Sequence, residues 1–350
     1  MKWQIHARVD GELRARTALV RLLCAVSVWR IVMTRLLPLC GASAWWLALL
    51  SLLPGALVAL LLRFTMARCH ASTLTEAVRA CLGRGGAILV SLLLTALLLV
   101  DGVASITALI TLFTEGLGTR GTQLTLAILT GVMLLFSLHR EGLPRAVCFL
   151  RWGMIAATVL VAALLLPDGH LDHLFPLHGE GGASALATLK TGASLGWPLA
   201  LLLTIPARSG WGRLQGGVGP VFAALAAVFL VNLLIPHELL MQESSLASQL
   251  LLPTRYVPNA LRLLSMCLLM LAFFLAIGAA AQLATAHLSM HWKALPGWAA
   301  YVLLVGMFIT QVADVPTLWR ILGAVEPWLL APLALLTLAC LPAALLRRKA

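Results

Sequence analysis

Apolar residues fall along this chain in long runs separated by short polar segments, and the runs have the length that crosses a bilayer. Spanning the hydrocarbon core takes about 20 apolar residues in a helix. Such runs predict ten spans, at residues 18–39, 44–64, 87–113, 124–138, 147–166, 186–205, 218–235, 260–284, 298–315 and 328–346. The predicted fold class is therefore an all-α integral membrane protein of about ten transmembrane helices. It divides into an N-terminal arm over residues 1–16, a transmembrane domain over 17–346 and a basic tail over 347–350.

Two polar segments carry patterns of their own. Thr73-Leu74-Thr75-Glu76 is a capping box, followed by an amphipathic stretch to Leu82 and by Gly83 as a stop. This predicts a short interfacial helix. The segment 168–182 holds His170, His173 and His178 among prolines and glycines. Three histidines invite a metal reading, but that backbone composition suits a loop better than a rigid ligand cage, and no metal or cofactor is predicted.

Composition agrees with the run pattern. Of 350 residues, 61% are hydrophobic and 11% charged, and the mean hydropathy is +0.98. A soluble domain of this length could not bury so much apolar surface, so lipid is the expected solvent. The formal charge of +12 does not mark a nucleic-acid protein, because the basic residues form no single patch. They alternate with the spans instead. Sixteen lie on one side: in the arm, between spans two and three, four and five, six and seven, and eight and nine, and in the tail. Only Arg120, Arg255 and Arg320 lie opposite, with most of the acids, Glu326 among them. Positive charge collects on the cytoplasmic side of membrane proteins, so both termini are expected there. The arm is polar and reads as no signal peptide. Seven scattered cysteines, with no CxxC, read as small packing residues.

Chemistry is sought where a span contains what lipid would not tolerate without a reason. Span one has Arg21, Arg30 and Arg35. Arg21 and Arg35 can snorkel toward opposite faces. Arg30 is central, and either contacts an anion or pairs with an interior acid. Span three has Asp101, with Ser105 four residues on along the same helix face. Asp101 either pairs with Arg30, lines a polar cavity or relays protons. In span six, Thr191, Gly192, Ser194 and Gly196 precede Pro198. That stretch is either an unwound segment facing a ligand or a kinked, closely packed helix. Span eight has Gly278 and Gln282 in an alanine-rich run, where tight packing competes with ligand contact. No Walker loop, HExxH or nucleophile elbow is present, and no enzymatic activity is predicted.

Several short motifs in order resemble the spore-germination receptor B subunits, members of the amino acid–polyamine–organocation carrier superfamily. Gly41-Ala42-Ser43-Ala44-Trp45-Trp46 is similar to the family's entry into span two, with Ser43 in place of its aspartate. Ser72-Thr73-Leu74-Thr75-Glu76 resembles the amphipathic segment before span three. His139-Arg140-Glu141-Gly142-Leu143 resembles the turn after span four. Asp172-His173-Leu174-Phe175-Pro176-Leu177, then Leu189-Lys190-Thr191-Gly192-Ala193, resembles the passage into span six. The resemblance implies a five-helix inverted repeat with spans one and six broken around a pocket for a small nutrient, often an amino acid. The substrate loop of span one would fall near Val26-Ser27-Val28, making Ser27 a candidate ligand contact beside Arg30. It also implies partner A and C subunits in the spore inner membrane. Three functions stay in play: a germinant-binding receptor subunit, an amino-acid or amine transporter coupled to protons or sodium, and a membrane scaffold or enzyme with no small ligand.

Overall fold

The computed structural model describes residues 2–36, 44–117, 122–139, 141–166, 169–174, 259–289, 297–312 and 315–346, with isolated positions between 195 and 233. Apart from those positions, predicted spans six and seven, and with them Thr191, Gly192, Ser194 and Gly196, lie outside the described residues. Among those described there are eight α-helices and no strand. They are α1 (Lys2–Ile31), α2 (Ala44–Arg68), α3 (Leu74–Leu117), α4 (Thr122–Ser137), α5 (Gly142–Leu165), α6 (Asn259–Ser289), α7 (Trp298–Val312) and α8 (Val315–Leu346).

Four helical stretches are long and apolar enough to cross a membrane: Arg16–Arg35, Leu74–Phe113, Leu263–Ser289 and Thr317–Pro342. A fifth candidate is the bent pair Thr125–Ser137 and Gly142–Ala157, whose halves meet at 110°. Large apolar side chains stand on the outward faces of the bundle. Leu53, Leu57, Leu60 and Phe64 form one exposed stripe along α2, and Phe149, Trp152, Ile155 and Val159 another along α5. Water would penalise such continuous apolar surface, whereas hydrocarbon does not. These are the features of a membrane protein.

α3 is the central element, with α6 and α8 packed along it and α1 lying against α6. Small residues allow the close approach. Ala276, Ala279, Ala280 and Ala284 of α6 are fully buried. A Cβ on Gly102 of α3 would meet Leu303 Cδ2 at 2.8 Å and Ala280 Cβ at 3.4 Å, so this glycine is where α3, α6 and α7 converge. Gly278 is packed just as closely, with Met133 Cε and Leu143 Cδ2 at 2.9 and 3.0 Å from such a Cβ. The alanine-rich stretch of span eight is thus closely packed at Gly278 and its alanines.

The polar segment between α2 and the apolar part of α3 forms as its capping signals dictate. α2 ends in a Schellman arrangement, with Ala71 N–H donating to the Met66 carbonyl and His70 N–H to the Ala67 carbonyl, while His70 takes φ 51°. The Glu76 carboxylate then accepts from the backbone N–H groups of Ser72 and Thr73 and from the Ser72 hydroxyl. The Ser72 hydroxyl holds that carboxyl below the usual carboxylate range. Leu74, Ala77 and Val78 are buried while Glu76 and Arg79 are exposed, the one-sided pattern of a surface helix. Gly83, at φ 77°, breaks the helix before the apolar run begins.

Three expectations are corrected. Span one is not broken near Val26-Ser27-Val28: α1 runs uninterrupted from Lys2 to Ile31. No glycine or proline occurs between Thr17 and Leu36 to open its hydrogen-bond ladder, and the only irregularity is a π-helical turn at Val32–Leu36. The outer loop expected between the last two spans is instead helix, since α8 starts at Val315 and carries Glu326 inside it despite Pro327. The cysteines are not all scattered: Cys69 and Cys81 lie side by side.

The Gly102 contact yields a direct test. Gly102→Ala is expected to destabilise the bundle by about 1–3 kcal/mol through overpacking against Leu303. Gly85→Ala, where a Cβ meets nothing within 4 Å, should be neutral or stabilising in the same thermal-unfolding assay in detergent.

Candidate functional site

The polar interior of the bundle is built from α1 and α3. Arg30 donates from Nη2 to Asp101 Oδ1 at 2.5 Å, and both side chains are only 2% exposed. Ser27 lies one turn before Arg30 on the same face of α1. Its Oγ is 2.7 Å from Asp101 Oδ2 and 2.7 Å from the Leu23 carbonyl. One hydroxyl proton cannot serve both acceptors fully, and the carboxylate is the stronger of the two. Both oxygens of Asp101 are thus engaged by α1, one by a cation and one by a hydroxyl.

Of the alternatives open for Arg30 and Asp101, the structure bears out the ion pair. Ser105 and Thr107 of α3 direct their hydroxyls elsewhere. Ser105 Oγ donates to the backbone carbonyl of Asp101 at 2.9 Å, not to its carboxylate, and Thr107 Oγ1 donates back to Val103. These are helix-internal bonds that satisfy a hydroxyl without a partner elsewhere. Gln282 lies half-buried on α6, the helix that packs along α3.

The pair is not saturated. A guanidinium has five N–H donors, and Arg30 Nε is buried with no hydrogen-bond partner. Arg30 therefore keeps a buried donor beyond the one Asp101 uses. An anionic or carbonyl oxygen is the chemistry that would match it.

A second ion pair was hidden from sequence reasoning. Arg35 Nη2 lies 2.5 Å from Glu326 Oε2, with side-chain exposures of 18% and 3%. Arg35 does not snorkel to a membrane face; it reaches across to α8. It lies five residues beyond Arg30, in the π-helical turn that follows α1. One arginine thus addresses α3 and the other α8. The guanidinium passes Gly323 of α8, with Arg35 Nη2 at an ordinary contact distance of 3.9 Å from where a Cβ there would stand. The available signal was the apolar residues on both sides of Glu326, from Ile321 to Val325 and from Trp328 onward.

The histidine segment serves a structural contact. His173 Nδ1 is 3.0 Å from the Leu233 carbonyl, and the backbone N–H of His170 donates to that same oxygen at 3.0 Å. His178 lies outside the described residues. Among those described, no group of three or more His, Cys, Asp and Glu side chains is arranged to hold a metal ion.

The two serines of the site separate by a simple substitution pair. Ser27→Ala removes a donor from a buried carboxylate and is expected to cost about 1–3 kcal/mol. Ser105→Ala removes only a helix-internal bond and should cost less than about 1 kcal/mol. Chemical or thermal unfolding in detergent micelles compares the two, and equal losses would contradict the assigned contacts. The sequence matches no known family profile, and no curated protein is similar to it.

Proposed function

We propose that this chain is a multi-pass membrane subunit that binds a small molecule of the amino-acid class through Arg30, in the manner of a spore-germination receptor B subunit. In this reading it has about ten spans built as a five-helix inverted repeat, and both termini are cytoplasmic. It works beside an A subunit and a lipoprotein C subunit. The motif resemblance along the chain and the sixteen-to-three basic asymmetry of its loops support the family and the orientation.

The observation that carries the binding proposal is the unpartnered Nε of Arg30, buried beside Asp101 and Ser27. A buried donor without an acceptor costs about 1–3 kcal/mol, and a bound carboxylate would recover that loss. An uninterrupted α1 offers no unwound backbone at this point, so the contact to a ligand falls to side chains. The ligand would act by its differential affinity for two conformations of the complex.

A thermal-shift screen of the purified full-length chain against amino acids and their amines tests this. A ligand at one hundred times its Kd stabilises the folded state by about 2.7 kcal/mol, enough for a clear shift in Tm. Amino acids with a carboxylate should shift the wild type and leave Arg30→Met unmoved, whereas the corresponding amines should shift neither. An equal shift in both proteins would remove Arg30 from the site. The competing reading, an ion-coupled transporter of the same fold, predicts sustained uptake of a labelled amino acid into liposomes holding this chain alone. The receptor reading predicts none.

A further inference from the structure

The sequence spacing of Cys69, Cys81 and Cys340 gives no hint that they meet, yet the fold gathers all three at one end of the bundle. Cys69 closes α2, just before the Schellman turn at His70. Cys81 ends the amphipathic stretch before Gly83, on the same side as the buried Leu74, Ala77 and Val78. The capping residues turn that stretch back along the end of α2, and the two sulfurs come to 3.3 Å of one another. Cys340, on the last turns of α8, is within hydrogen-bonding reach of Cys81 and donates to the Leu336 carbonyl at 3.3 Å.

We propose that Cys69 and Cys81 are a reversible redox pair that closes into a disulfide and fastens the amphipathic helix to the end of α2. A disulfide bond is about 2.05 Å long, so the sulfurs need to close by little more than an ångström. Both thiols are half-buried, and exposed Arg79 and Arg84 flank Cys81. The oxidant is a small-molecule disulfide, and the basic flank favours an anionic one such as oxidised glutathione. One cysteine thiolate attacks the small disulfide, forming a mixed disulfide and expelling one thiolate. The second cysteine thiolate then attacks the protein sulfur of that mixed disulfide and expels the other. Two protein thiols are oxidised, one small disulfide is reduced to two thiols, and the protons pass to the departing thiolates.

The joint at Gly83 gives the bond a mechanical meaning. Residues 74–82 join the spanning part of α3 through a backbone at φ 77° at Gly83, where a Cβ would touch nothing within 4 Å, and Val78 and Leu82 rest on Gly86 beyond it. The amphipathic helix is therefore jointed at Gly83, and the proposed disulfide, at Cys81 two residues before that joint, ties this end of it to the end of α2. Reduction releases it.

The chain itself supplies the assay. Trypsin cuts after Arg68, Arg79 and Arg84, placing Cys69 in peptide 69–79 and Cys81 in peptide 80–84, while Cys340 falls in peptide 321–347. Full-length protein in membranes is exposed to oxidised glutathione, alkylated, digested and weighed. The expected product is 69–79 joined to 80–84, lighter than their sum by two hydrogens and separated again by dithiothreitol. Cys148→Ser should leave it unchanged and Cys69→Ser should abolish it. Linkage should form about tenfold faster in the native membrane than in the detergent-unfolded chain, because folding supplies the proximity. Recovery of the two peptides only as separate species, linkage of either to 321–347 instead, or equal rates in the folded and unfolded chains would each overturn the pair.

Discussion

A charge placed in hydrocarbon must be paired, and the architecture of this protein follows from how Arg30 meets that requirement. A guanidinium and a carboxylate each lose several kcal/mol of hydration on burial. At an effective dielectric near 20, two unit charges about 4 Å apart recover roughly 4 kcal/mol. The Arg30–Asp101 pair therefore adds little net stability. Its effect is specificity: any arrangement that separates α1 from α3 leaves two uncompensated charges in a dry interior. The position and rotation of α1 are set by that penalty, and Ser27 refines them by taking the second carboxylate oxygen.

The rest of the packing can be read as what allows the two helices to stay in register. α3 is gripped by α6 and α8, and the alanine face of α6 with Gly102 removes the bulk that would hold them apart. Just beyond the end of α1, Arg35 reaches Glu326 of α8. One helix thus carries two arginines to two different neighbours, and the π-helical turn at Val32–Leu36 falls on the segment that bears the second of them. Lipid solvates the outer faces, where leucine and aromatic stripes stand in place of a polar surface.

Much of this was legible in the sequence, and the residues show why. Asp101 is the one acid deep in an apolar run and Arg30 the central base of span one, so a shared interior pair was among the few ways to bury both. The capping box at Thr73–Glu76 and the stop at Gly83 were legible because caps depend on contiguous residues. What escaped depended on distant geometry. Glu326 falls between two apolar runs and reads as a loop acid, yet it and Pro327 lie inside α8, and proline inside a membrane helix is tolerated when neighbours satisfy the freed backbone. The Cys69, Cys81 and Cys340 grouping needs a chain reversal and a third helix to exist. The break expected in span one came from resemblance, and local composition, with no glycine or proline there, decided against it.

The most direct test of this account is a double-mutant cycle on Arg30 and Asp101, read as unfolding free energy in detergent micelles. Arg30→Met and Asp101→Asn are each expected to cost about 3–5 kcal/mol, because each strands the opposite charge in the interior. The double variant strands neither, and its loss should be markedly smaller than the sum and close to or below that of either single variant. Additive losses, or a double variant less stable than both singles by their summed amounts, would mean that the two charges do not hold each other and that α1 is positioned by something else.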